Sequence, residues 1–134
     1  MSATASALAG FAGWFLLLTA ILGFYRTALV LSGRRAANSF RSDGDDTPGF
    51  GQRLVRARDN VYENLPVFAA LALAAHITGQ LAITDPLAPV VLYARLGQSL
   101  THLASVSVPA VFLRFGFYIV QIVVWAWWAI QLLG

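Results

Sequence analysis

The chain has 134 residues, 58% hydrophobic and only 11% charged, with a mean hydropathy of +0.68; a soluble domain carries about one quarter charged residues, so this is one membrane domain. Nine cations, all arginine, face six acids, and the resulting +3 is too small and too unevenly spread to argue for nucleic acid. With no cysteine, disulfides, thiolate metal sites and a protein thiol nucleophile are excluded, and two histidines without carboxylate partners make no dedicated metal site.

A hydrocarbon core of about 30 Å takes about 20 apolar residues in a helix. Residues 7–31 form such a run, interrupted only by Arg26, and predict a first helix over 7–33. No charged leader precedes it and its apolar core is longer than a signal peptide needs, so it reads as a retained span. The connection that follows, SGRRAANSFRSDGDDTPGFGQRLVRARDN, holds six of the nine arginines. The positive-inside rule places it in the cytoplasm and both termini outside. Within it, SDGDD reads as a polar, turn-rich and mobile loop tip.

The second helix is expected over 51–83, its apolar part over 65–83 with His76 as the one ionisable side chain. The third, over 88–106, is interrupted by Arg95 and His102. The fourth, over 109–133, carries Trp125, Trp127 and Trp128 toward its far end, which suits an interfacial aromatic belt. Backbone polar groups must be satisfied inside lipid, so the expected fold is all-α: an integral membrane four-helix bundle in up-and-down order.

Charged residues enter these helices in a pattern. At about 100° per residue, Arg56, Asn60 and Glu63 share one face of the second helix, with Arg53 close by. Arg95, Ser99 and His102 do the same on the third, with Gln98 at the edge. The helical rise of about 1.5 Å per residue puts Glu63 and Arg95 at similar depth. A lone ion near the bilayer centre costs about 3 kcal/mol on insertion scales, so the two are expected to interact, within or between chains. Such a pair can be a functional element or simply a lock between helices. Arg53 and Arg58 serve equally well as interfacial anchors, Arg34, Arg35 and Arg41 read from composition as topology signals, and His76 as structural. Pro66 removes a backbone donor and crowds the Tyr62 carbonyl, so it should bend the second helix and help open a cavity.

The pattern R-A-x-x-N-x-x-E-x-x-P, present as Arg56, Ala57, Asn60, Glu63 and Pro66 and followed by VFAALALAA, resembles the signature of the MAPEG family, membrane-associated proteins in eicosanoid and glutathione metabolism. SGRR at the end of the first helix, YAR at 93–95 and Arg114 at the start of the fourth agree with it. The resemblance covers nearly the whole chain. It implies a homotrimer with glutathione as co-substrate, bound between subunits near the cytoplasmic face. Arg56, Asn60 and Glu63 would hold the tripeptide, with Arg34 or Arg35 and Arg58 reaching it from the first loop and second helix. Arg95, Gln98 and His102 complete the binding set on the third helix, and Arg114 matches a thiolate-stabilising arginine. The eicosanoid enzymes of the family carry tyrosines where this chain has Gln98 and His102, which argues against a dedicated leukotriene or prostaglandin enzyme.

The chemistry is sound in itself. A thiol of pKa about 8.5 is only about 3% ionised at pH 7, and a cation that lowers it to about 6.5 raises this to about 75%. Arginine suits this because it stays protonated. The expectation is therefore a bacterial-type inner-membrane glutathione transferase or peroxidase acting on hydrophobic electrophiles or lipid hydroperoxides. The alternatives are a non-enzymatic membrane protein binding a lipid or anionic metabolite and, more remotely, a small four-helix transporter using Glu63.

Overall fold

The computed structural model describes residues 1–42, 44 and 49–134, and among these the chain is all-helical. Asp43, Asp45 and Asp46 of the expected loop tip lie outside the described residues. Four long helices, α1 (Ala3–Leu31), α2 (Phe50–Ile77), α4 (Ala88–Ala104) and α5 (Val108–Leu133), are joined by a single-turn α3 (Leu81–Thr84) between α2 and α4. Serine hydroxyls cap two of them: Ser2 Oγ accepts from the Ala5 N–H at 3.0 Å and Ser107 Oγ from the Ala110 N–H at 3.4 Å. Pro89 and Pro109 occupy first-turn positions of α4 and α5, where the missing N–H costs nothing.

α2 stops earlier than its apolar run suggests, and α1, expected over 7–33, spans Ala3–Leu31. Gly79 takes φ +69°, its N–H bonds the His76 carbonyl at 3.3 Å, and the Gln80 N–H bonds Ala75 at 2.8 Å. This Schellman arrangement ends α2 at Ile77 rather than 83, and Gly33 (φ +76°) ends α1 in the same way. Residues 78–87 then form a turn and α3, tied back to the start of the chain. Asp85 Oδ1 accepts the Thr4 N–H at 2.9 Å, one of the orphan donors of the first turn of α1, and the Thr4 and Thr84 hydroxyls lie 2.6 Å apart. Replacing Gly79 by Val forces a β-branched residue into left-handed backbone. A loss of about 1–2 kcal/mol is expected, read as a lower thermal midpoint in detergent.

α1 packs on α2, α4 on α5, and α4 also lies against α1 and α2. α4 and α5 pack tightly at Gly97, where an added Cβ would meet the Phe117 ring at 2.7 Å. An aromatic cluster fills the centre: Phe11 meets Phe68 edge-on at 5.2 Å, and Phe68 lies 6.2 Å from Trp125 and 5.9 Å from Trp128. This corrects the expectation of a tryptophan belt. Trp125 and Trp128 are buried core residues, and only Trp127 of the three is exposed.

α1 and α5 are long and apolar enough to cross a membrane. Their outward faces stay uncovered: Leu16, Phe24, Phe112, Phe115, Val123 and Ile130 are all exposed. Contiguous apolar surface on this scale marks contact with lipid or another protein. α2 and α4 differ in kind. The first half of α2 carries the charges, and α4, with 17 residues, buries Arg95, Gln98, Ser99 and His102 on its inner face. α2 stays helical through Pro66, which has no N–H to offer the Tyr62 carbonyl one turn back.

Candidate functional site

The polar residues of α2, α4 and α5 meet where the three helices converge. Asn60, one turn ahead of Asn64 on α2, is half-buried, and its side-chain oxygen is the hub. Arg95 Nη1 donates to Asn60 Oδ1 at 2.6 Å, Asn64 Nδ2 at 3.3 Å and Gln98 Nε2 at 3.4 Å. Asn64 Nδ2 also bonds the Asn60 backbone carbonyl at 2.7 Å. From α5, Gln121 Nε2 donates to Gln98 Oε1 at 2.9 Å and to the Phe117 carbonyl at 3.0 Å. Arg95 and Gln121 are fully enclosed. The Arg95 guanidinium lies 5.3 Å over the Phe11 ring, a cation–π contact that offsets part of its desolvation.

In front of this network is a cavity of about 480 Å³, within the range of small-molecule sites. Asn60, Glu63 and Asn64 line it from α2, Gln98 from α4, and Arg114, Phe115 and Tyr118 from α5. The Arg114 guanidinium makes no hydrogen bond or ion pair among the described residues, and its Nε is buried without a partner. A cation in that state has no counter-ion among the described residues and remains able to accept one. Tyr118 brings a ring and a phenol to the same wall.

Four sequence-derived site residues, Asn60, Glu63, Gln98 and Arg114, therefore line one cavity. Arg95 lies behind Asn60. Glu63 does not pair with it inside the chain: the carboxylate is exposed, and the buried arginine takes the Asn60 amide oxygen instead. An amide from the adjacent turn reaches the guanidinium while remaining half-buried, and it needs no second desolvated charge. Arg56 is exposed one turn earlier on α2 and is already engaged. Arg58 is held by Asp59 in an ion pair at 2.7 Å and borders a separate hollow with Ser42, Tyr62 and Glu63. Arg53 Nε bonds the Leu103 carbonyl at 2.8 Å, tying α2 to the end of α4. His102 is buried beside that joint, within electrostatic reach of Arg53, Arg56 and Arg114.

Arg34 is exposed past the end of α1. Arg35 bonds the Ser39 carbonyl at 2.8 Å and stacks 4.6 Å over Phe40. Within one chain, neither borders the cavity. Tyr118 and Gln121 escaped the sequence reading. Their signal is a second polar stripe, Arg114, Tyr118 and Gln121 at i, i+4 and i+7 on an otherwise apolar helix.

Beyond Asn64 and Tyr118 an apolar groove of about 580 Å³ continues along α2 and α5, walled by Val67, Leu71, Ile122 and Trp125. No curated protein and no solved structure shows a significant match to the chain. The sequence profile of the MAPEG family matches residues 4–134, and α1 and α5 are both long and apolar enough to be membrane spans. On a match of that extent, the chain belongs to the MAPEG family, whose members are membrane proteins.

Proposed function

We propose that the protein is a membrane-bound glutathione transferase or glutathione-dependent peroxidase, working as a homotrimer of up-and-down four-helix subunits. The observation that carries this reading is the unpartnered Arg114 guanidinium, facing the same cavity as Asn60 and Glu63. Glutathione supplies what those groups lack. Its carboxylates and amide carbonyls accept from Asn60 Nδ2 and from arginine, its ammonium meets Glu63, and its sulfur lies against Arg114. The exposed faces of α2 and α5 then contact a neighbouring subunit, whose Arg34, Arg35 or Arg58 completes the ligand's surroundings. The arginine-rich first connection orients this end toward the cytoplasm of a bacterial inner membrane.

The steps follow from the charges. Arg114 favours the thiolate, and the thiol proton leaves to water. The sulfur forms a bond to an electrophilic carbon, and the leaving group departs with the bonding pair. With a hydroperoxide, the thiolate attacks the terminal oxygen, the O–O bond breaks to give a sulfenic acid, and the departing alkoxide takes a proton from water to become the alcohol. A second glutathione converts the sulfenic acid to disulfide and water. The apolar groove beside Tyr118 suits the hydrophobic substrate, which enters from lipid.

A second reading has support in Gln98 and His102, which stand where related eicosanoid enzymes use tyrosine: the same cavity would bind an anionic metabolite or lipid without chemistry. Ultraviolet difference absorbance on adding glutathione to the purified protein separates the two. A thiolate band that saturates with ligand is expected. Binding without that band favours the non-enzymatic reading, and no binding at all removes glutathione from the account.

A further inference from the structure

Asn60 has no intrinsic reason to face the cavity with nitrogen rather than oxygen, because the two ends of a side-chain amide have nearly the same shape. The surroundings remove the ambiguity. Three donors converge on Oδ1, the strongest of them a fully buried guanidinium at 2.6 Å. Charge-assisted bonds of this kind are roughly twice as strong as neutral ones. Nδ2 makes no hydrogen bond among the described residues, and Asn60 lines the cavity. Turning the amide over would set an N–H against the buried cation and leave Arg95 with no acceptor at all, since its Nε and Nη2 are already unpartnered.

We infer that Arg95 is a positioning residue, a buried clamp that fixes Asn60 so that the cavity presents an amide N–H and selects a ligand with an acceptor oxygen there, a carboxylate or a peptide carbonyl. Gln121 acts behind it. Its bond to Gln98 Oε1 leaves Gln98 Nε2 as the end that faces Asn60, so the relay across α5, α4 and α2 has one consistent direction. The ligand class rests on the glutathione reading above, whereas the orientation of the amide does not.

The full-length protein in detergent carrying Arg95→Met provides the test, since a buried cation exchanged for an apolar chain of similar length is often neutral or stabilising. The expected result is an unchanged thermal midpoint with glutathione affinity lowered about tenfold, the value of one lost hydrogen bond. The thiolate signal per bound glutathione should stay as in the parent, because Arg114 is untouched. Arg95→Lys keeps the cation and should restore most of the affinity. Independently of any ligand, protein labelled with 15N-asparagine gives side-chain amide resonances for Asn38, Asn60 and Asn64. These are assigned by elimination with Asn38→Ala and Asn64→Ala. The Asn60 pair should shift in Arg95→Met and stay in place in Arg95→Lys.

Parent-like affinity together with an unmoved Asn60 resonance in Arg95→Met overturns the clamp. So does an affinity loss accompanied by a lower midpoint and a lost thiolate band, which is the mark of a merely structural role. If the parent itself fails to bind glutathione, the proposed function falls while the amide resonance still decides the clamp. If Arg95→Met does not fold, Arg95→Lys decides alone: an Asn60 resonance displaced there contradicts the proposal, and one left in place supports it.

Discussion

Arg114→Ala is expected to lower glutathione conjugation to a hydrophobic electrophile by about 25-fold at pH 7, with a much smaller change in glutathione affinity. Shifting a thiol pKa by about two units requires about 2.7 kcal/mol of differential stabilisation of the thiolate over the thiol. Among the residues lining the cavity, Arg114 is the one cation. Its loss returns the bound thiol toward its ordinary ionisation, so the thiolate band should vanish while ligand is still bound. Rates at saturating glutathione should recover as pH rises through the unperturbed thiol pKa of about 8.5, because hydroxide then does what the arginine did. Arg114→Lys keeps a charge but not the planar fork and should recover part of the rate. A fully active Arg114→Ala protein with an intact thiolate band removes Arg114 from the chemistry.

Asn60→Ala is expected to have the largest effect on stability of any change in the cavity wall. The substitution deletes the acceptor for Arg95 Nη1 and the hub for Asn64 and Gln98, leaving a fully enclosed guanidinium with a single aromatic contact. An unsatisfied buried charged group costs about 3 kcal/mol. Thermal unfolding in detergent, with the parent and Arg95→Met alongside, measures it. The double variant Asn60→Ala, Arg95→Met should be markedly more stable than Asn60→Ala alone, because the stranded charge is gone. Equal instability of the single and double variants would show that Asn60 stabilises the helices by some route other than Arg95.

The sequence carried part of the site openly. Asn60 and Glu63 follow from their places four and seven residues after Arg56 on one helical face, Arg114 from its place at the start of the last helix, and the cavity collects all three. The partner of Arg95 was not legible, because charge counting favours a carboxylate while the geometry offers an amide one turn away that is already half-buried. The tryptophans misled for a related reason. Trp125 and Trp128 are three apart and so share a face, the spacing of a core stripe, whereas Trp127 points elsewhere. The shortened α2 was readable in principle from Gly79, since a glycine after a helical run is a stop signal that an apolar continuation does not cancel. The direction of the Gln121–Gln98–Asn60 relay was not, because it depends on three helices meeting at one depth.

An anionic thiol ligand lodged between α2 and α5 is the central requirement of the proposed function. A structure of the protein in a lipid nanodisc with glutathione added tests this most directly. The predicted result is one glutathione per cavity, its sulfur within about 3.5 Å of the Arg114 guanidinium and an oxygen accepting from Asn60 Nδ2. Glutathione seated elsewhere, or acyl chains packed against Asn60 and Glu63 in a cavity closed to the aqueous phase, would contradict it.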